Sequence, residues 1–159
     1  MSSLIVIGSR MCNDKDLVFE TINLAIQNIG FKVREIVSDT SKGVASFAEA
    51  YAKENGLNVV KFPAKWDDIS DCEPEDIRER WNQWKKKNEK YNFRAGFQRN
   101  ERMLEYVKSK DGGVCSIDLN SGETKDIVKK ARELDLPIYE YEPVPLQPHE
   151  FGYDFWSNE

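Results

Sequence analysis

Residues Leu4 to Ile7 read LIVI, an unbroken aliphatic run closed by Gly8. It is too short for an ordinary helix, and its lack of alternation leaves no face for water. Such a run is a strand buried on both sides, which obliges the chain to supply helices above and below it. The segments that follow meet that demand. Val18, Ile22, Ala25 and Ile29 share one helical face, with Asn13 or Asp14 as the cap and Gly30 as the stop. KVREIV is a second strand closing at SDTSKG. Val44, Phe47, Ala48 and Tyr51 then follow helical spacing up to ENG. LNVVKF, GGVCSIDL and LPIYEYE are further strands, and Thr124, Ile127, Val128, Ala131 and Leu134 form one more helical face between the last two. Strands alternating with helices over short connections predict an α/β fold with a parallel sheet of about five strands, covered on both faces.

Two stretches break the rhythm. From Asp67 to Lys90 the chain is densely charged. Pro74, Glu75 and Asp76 lead the stretch and Lys85, Lys86 and Lys87 come later, an order that suits a helix dipole. Ile77, Trp81 and Trp84 fall at i, i+4 and i+7, so the segment is expected to be an inserted, solvent-facing helix over about residues 67–90. Residues 143–159 form a tail with Phe151, Tyr153, Phe155 and Trp156, expected to pack on the body or on a partner.

Composition narrows the function classes. A net charge of −5 over 159 residues argues against general affinity for nucleic acid or anionic lipid. Cys12, Cys72 and Cys115 are odd in number and widely spaced, and His149 is the one histidine, so no metal site and no disulfide framework is expected. The start, MSSLIVIGSR, has neither a basic leader nor a long apolar run, and no stretch reaches membrane-spanning length. The expectation is a soluble, cytoplasmic protein with no membrane partner.

Ligands of parallel sheets bind at the carboxyl ends of the strands, and polar residues gather there. Gly8, Ser9 and Arg10 close the first strand. Ser38, Thr40, Ser41 and Gly43 close the second and enter a helix. Ser121, Gly122 and Thr124 do the same after the fourth. The run KYNFRAGFQRNERM sets Arg94, Arg99, Asn100 and Arg102 at or near the start of a helix, where cations oppose the macrodipole. Asn100 shares a face with Met103, Leu104 and Val107 and is expected to point inward, with Arg99 and Arg102 on its flank. The arginines either face a bound anion or pair with surface acids such as Glu101 and Glu105. The first option makes them, with the strand-end hydroxyls, a site for a phosphate-bearing small molecule.

The pieces IGSR, FPAKW, AGFQRNERM and SGET, in that order, resemble the YspA-like branch of the SLOG superfamily, Rossmann-like domains related to DprA and to the LOG phosphoribohydrolases. The resemblance covers roughly residues 4–142, making 1–142 one Rossmann-like domain and 143–159 a tail. It implies a nucleotide or nucleotide-derived ligand at the strand ends and a homo-oligomer, dimer or larger. Two motifs depart from the pattern. Where the family has S-G-G-A-x-G-A-D, this chain has Asp39 and Thr40 in place of both glycines and Ala45 in place of the acid. Glu123 stands where the family has glycine before Thr124, and Ile127 where the phosphoribohydrolases carry a glutamate. The first reading is therefore non-catalytic binding, sensing or sequestering such a ligand through Gly8, Ser9, Arg10, Ser38, Ser41, Gly43, Arg99, Asn100, Ser121, Gly122 and Thr124, with no cofactor. The second is a nucleotide N-glycosidase, for which Glu101, Asp118 and Glu123 are the candidate carboxylates. The third is an interaction or inhibitor module built on the Trp81/Trp84 segment and the aromatic tail.

Overall fold

The computed structural model describes residues 2–29, 32–70 and 72–142. The tail and its aromatic residues lie outside the described residues. In chain order the elements are β1 (Ser2–Gly8), α1 (Lys15–Ile29), β2 (Val33–Ser38), α2 (Val44–Glu54), β3 (Asn58–Lys61), a 3-10 turn (Pro74–Asp76), β4 (Ile77–Asn82), β5 (Lys87–Asn92), α3 (Ala95–Ser109), β6 (Gly113–Ile117), α4 (Lys125–Glu133) and β7 (Ile138–Glu140). Five strands form one parallel sheet in the order β3-β2-β1-β6-β7. This is the Rossmann-like α/β architecture expected from the sequence.

The pleat sorts the core into two layers, since successive side chains leave a strand on opposite faces. Leu4 and Val6 of β1 join Ile36, Cys115 and Ile117 beneath Val18, Ile22, Ala48 and Tyr51 of α1 and α2. Ile5 and Ile7 join Val37 and Val114 beneath Met103, Leu104, Val107, Ile127 and Ala131 of α3 and α4. The unbroken LIVI run is thus explained: all four side chains are buried, two per layer. Asp14 caps α1 by accepting the Leu17 N–H at 3.1 Å. Helix α2 is capped by Asn55, and Gly56 follows at φ +67°.

The inserted segment corrects the sequence reading. It is a β-hairpin, not a helix: β4 and β5 pair antiparallel from Ile77↔Asn92 to Asn82↔Lys87. Pro74, Glu75 and Asp76 start only a single 3-10 turn. The hairpin register sets unlike charges across from one another, Arg80 opposite Glu89 and Glu79 opposite Lys90. Its turn is tied by Glu89, which pairs with Lys85 at 3.2 Å and accepts the Asn82 amide N–H at 3.0 Å. Asn82 Oδ1 accepts the N–H groups of Trp84 and Lys85, each at 3.0 Å, and Lys86 takes φ 51° to close the turn. Trp81 and Trp84 are exposed, as the helical reading also had them, Trp84 at 95%.

Candidate functional site

Strand β1 is flanked by β2 on one side and β6 on the other, so the connections leaving its end and that of β6 diverge. That divergence opens a crevice at the carboxyl edge of the sheet. Its floor is made by close passage of backbone. A Cβ on Gly8 would lie 2.2 Å from the Ile117 carbonyl oxygen, and one on Gly43 would lie 2.4 Å from that of Ser9. Gly43 also has φ +74°, a conformation other residues avoid. Both glycines let chain approach chain here.

Several expected ligand donors are engaged within the protein. Buried Ser9 accepts the Leu119 N–H on its hydroxyl at 2.9 Å and lies 2.9 Å from Ser121 Oγ. Buried Ser38 donates to Glu49 at 2.9 Å and accepts the Thr40 N–H at 3.0 Å. The loop after β6 folds around Asp118, whose Oδ1 accepts the N–H groups of Ser121 (2.7 Å) and Gly122 (3.1 Å). Thr124, also buried, donates to Asp118 Oδ2 at 3.2 Å and lies 2.9 Å from Ser116 Oγ, which donates to it. Burial alone would raise the Asp118 pKa, but the hydrogen bonds from Gly122, Ser121 and Thr124 outweigh it and hold the carboxyl below its ordinary value.

Helix α3 begins at Ala95 with no side-chain cap on Arg94 and no acid in its first turn. Its buried polar residue is Arg99, only 8% exposed, while Asn100 is half-buried. The expected order is thus reversed, with Arg99 inward and Asn100 on its flank. Arg99 Nε donates to Asn100 Oδ1 at 3.1 Å, and a second guanidinium nitrogen reaches the Asp39 carbonyl oxygen at 3.4 Å. Its counter-charge, Asp39, stands off at 3.9 Å and is already bonded by the Ser41 N–H (3.0 Å) and hydroxyl (2.6 Å). Burial pulls the Arg99 pKa below its usual value. Asp39 opposes that shift, and the nearby Arg10 and Arg102 add to it. The guanidinium is therefore desolvated and short of negative charge.

Two cavities meet at Arg99. The inner one, about 320 Å³, is lined by Gly8, Arg10, Asp39, Ser41, Arg99, Asn100, Glu123 and Thr124 among others. The outer one, about 760 Å³, shares Arg10, Asp39, Ser41 and Arg99 with it and adds Lys42, Trp66, Arg80, Tyr91 and Phe93. The hairpin supplies part of the outer wall. Arg80 sits 5.4 Å from the centre of the Tyr91 ring, and Arg78 sits 4.9 Å from that of Phe93. Ser121 and Gly122 line a separate surface recess with Asp118. Glu101 points away to α4, paired with Lys130 at 3.3 Å. Of the three candidate catalytic carboxylates, only Glu123 lines the inner cavity.

Asp39, Lys42, Trp66, Arg80, Tyr91 and Phe93 are the charged and aromatic lining residues that sequence reasoning missed. Trp66 lay in plain view in FPAKW; Arg80 and Tyr91 were hidden by the helical reading of the hairpin. Among the described residues, no group of three or more His, Cys, Asp or Glu side chains could hold a metal ion. No described helix is long and apolar enough to cross a membrane.

Residues 3–68 match the model of the family described as YspA, cpYpsA-related SLOG family. The resemblance read from the motifs stands. The matched span runs from β1 past β3 and stops short of the hairpin and α3, so Arg80, Tyr91 and Arg99 rest on the geometry given above. The X-ray structure of DNA processing protein A (DprA) from Streptococcus pneumoniae is similar in fold, with a TM-score of 0.57 at 16% identity. The alignment covers 92% of this chain and 52% of that one, so the chain spans about half the length of that protein. Among curated proteins none matches.

Proposed function

We propose that this protein binds, without turning over, a nucleotide or nucleotide-derived ligand at the carboxyl edge of its sheet. The observation that carries the reading is Arg99, a buried guanidinium with one distant carboxylate, placed where the inner and outer cavities join. An anionic group docked there supplies the missing charge, and a charge-assisted hydrogen bond to it is worth ~1.5–3 kcal/mol. Beside it Trp66, Tyr91 and Phe93 offer ring faces for a base, and Lys42 and Arg80 offer further cationic contacts. The SLOG match and the fold likeness to DprA favour a nucleotide-related ligand over other aromatic anions. Binding is favoured over hydrolysis because Glu101 is paired with Lys130, Asp118 is bonded within its own loop, and Ile127 lines the inner cavity where the phosphoribohydrolases carry a glutamate.

The residues assigned to the ligand are Arg10, Ser41, Arg99 and Asn100, with Lys42, Trp66, Arg80, Tyr91 and Phe93 added. Gly8, Ser9, Ser38, Gly43, Ser121, Gly122 and Thr124 shape the loops that present them. The test is thermal stabilisation by a panel of nucleosides and nucleoside mono-, di- and triphosphates, with native mass spectrometry for co-purified nucleotide. The wild type is expected to be stabilised more by phosphorylated members than by nucleosides, and Arg99→Ala to lose that difference while exposed Arg132→Ala keeps it. An Arg99→Ala protein that responds fully would overturn the assignment.

The exposed Trp81 and Trp84 support a homo-oligomer, since such residues are enriched at interfaces. Light scattering that shows a monomer at tens of micromolar refutes that part.

A further inference from the structure

The inner cavity already contains an anion. Glu123, from the turn that enters α4, places Oε2 2.8 Å from the Arg10 backbone nitrogen, whose N–H it accepts. Ser121 Oγ lies 3.1 Å from the same oxygen and equally far from Asp118 Oδ1, so its one proton is shared between the two carboxylates. An N–H at the end of β1 and a hydroxyl from the loop after β6 are donors of the kind that hold a phosphate oxygen at such a crevice. Here a side chain of the protein holds that place. The charge count agrees: Arg10 and Arg99 line this cavity, and so do Asp39 and Glu123. The outer cavity differs, sharing Arg10, Asp39 and Arg99 but adding Lys42 and Arg80 and lacking Glu123.

We infer that Glu123 is a resident anion that sets the specificity of the cleft. Its carboxylate repels phosphate from the inner cavity and confines the charged end of the ligand to the outer one. This inference rests on the cleft being a nucleotide site, but Glu123 can be examined without any nucleotide. A second phosphate that enters the inner cavity must either sit against the carboxylate or break its bonds to Arg10 and Ser121. Polyphosphate chains are therefore penalised, while neutral, hydroxyl-bearing groups are not, because a carboxylate accepts hydrogen bonds from hydroxyls.

The test compares wild type with Glu123→Gln, which keeps size and acceptor capacity but removes the charge, and with Glu123→Ala. Asp126→Asn is the control, making the same change in net charge on α4 at a residue paired with Lys130. The probes are inorganic pyrophosphate and an uncharged nucleoside, followed by calorimetry. Both Glu123 variants are expected to bind pyrophosphate about tenfold tighter than wild type, ~1.4 kcal/mol. Nucleoside binding should be unchanged in Glu123→Gln, which keeps the acceptor, and Asp126→Asn should behave as wild type. Equal pyrophosphate affinity in wild type and both Glu123 variants overturns the inference, as does an equal gain in Asp126→Asn, which would mark a bulk charge effect. If Glu123→Gln does not fold, Glu123→Ala decides by the same readings. A pyrophosphate gain in a protein that binds no nucleotide retires the nucleotide reading and leaves the resident anion intact.

Discussion

Arg99 and Asp39 form a pair whose two halves are expected to respond differently to removal. Charges about 4 Å apart attract by ~4 kcal/mol at the effective permittivity of a protein surface. That attraction is offset by the loss of hydration of both groups, several kcal/mol per ion, and by repulsion of Arg99 from Arg10 and Arg102. Arg99→Met, which keeps the length of the side chain and discards its charge, should therefore change unliganded stability by no more than ~1 kcal/mol, because Asp39 retains its bonds to Ser41. Asp39→Asn leaves the guanidinium buried among cations. Removing one partner of a buried pair costs ~3–5 kcal/mol, and since this pair is loose and borders a cavity, ~2–3 kcal/mol is expected. With phosphate ligand the order inverts: Arg99→Met loses ten- to a hundredfold in affinity, ~1.5–3 kcal/mol, whereas Asp39→Asn is rescued and gains more stability from pyrophosphate than wild type does. Urea melts with and without pyrophosphate give all four numbers. If Arg99→Met loses 3 kcal/mol or more unliganded, or Asp39→Asn loses nothing, Arg99 is a structural ion and not a cation awaiting a ligand.

Three further outcomes follow from the same geometry. Asp118 has a folded pKa below its unfolded value, so its contribution to stability is complete above the unfolded value and lost as pH falls through the folded one. Urea midpoints should accordingly drop more steeply below about pH 4 in wild type than in Asp118→Asn, whose midpoint is already lower at pH 7. Gly43→Ala should destabilise by more than ~2 kcal/mol, because the new methyl meets the Ser9 and Arg10 carbonyls at 2.4 and 2.6 Å. Gly56→Ala, at φ +67° in open space, should cost only ~1 kcal/mol, and equal losses for the two would remove the steric argument. The Cys115 thiol, pushed up to about 12 by burial, should resist a disulfide reagent at pH 8 until the protein is unfolded, and fast labelling of the native state would contradict the buried position of β6.

The sheet was legible because its signals are local and unambiguous. An aliphatic run without alternation can only be buried on both sides, and LIVI is divided between two helical layers as that reading requires. The site was legible in half. Arg10, Ser41, Arg99 and Asn100 lie at strand and helix ends, where topology alone brings them together. The other half depends on the hairpin, and there the reading of charge order misled. Pro-Glu-Asp ahead of three lysines suits a helix dipole, but each such charge is worth well under ~1 kcal/mol at an exposed position. Antiparallel pairing of Arg80 with Glu89 and Glu79 with Lys90 uses the same residues in a second pattern, symmetric about Asn82 to Lys87. Period two also puts Arg78, Arg80 and Tyr91 on one face of the hairpin and Trp81 on the other, a division that helical spacing conceals. The helical reading therefore conceals part of the candidate site as well as the hairpin. With the segment read as a helix, its aromatic and basic residues became a solvated stripe; with the strands paired, Arg80 and Tyr91 stand in the wall of the outer cavity, opposite the cations that the strand ends had already marked.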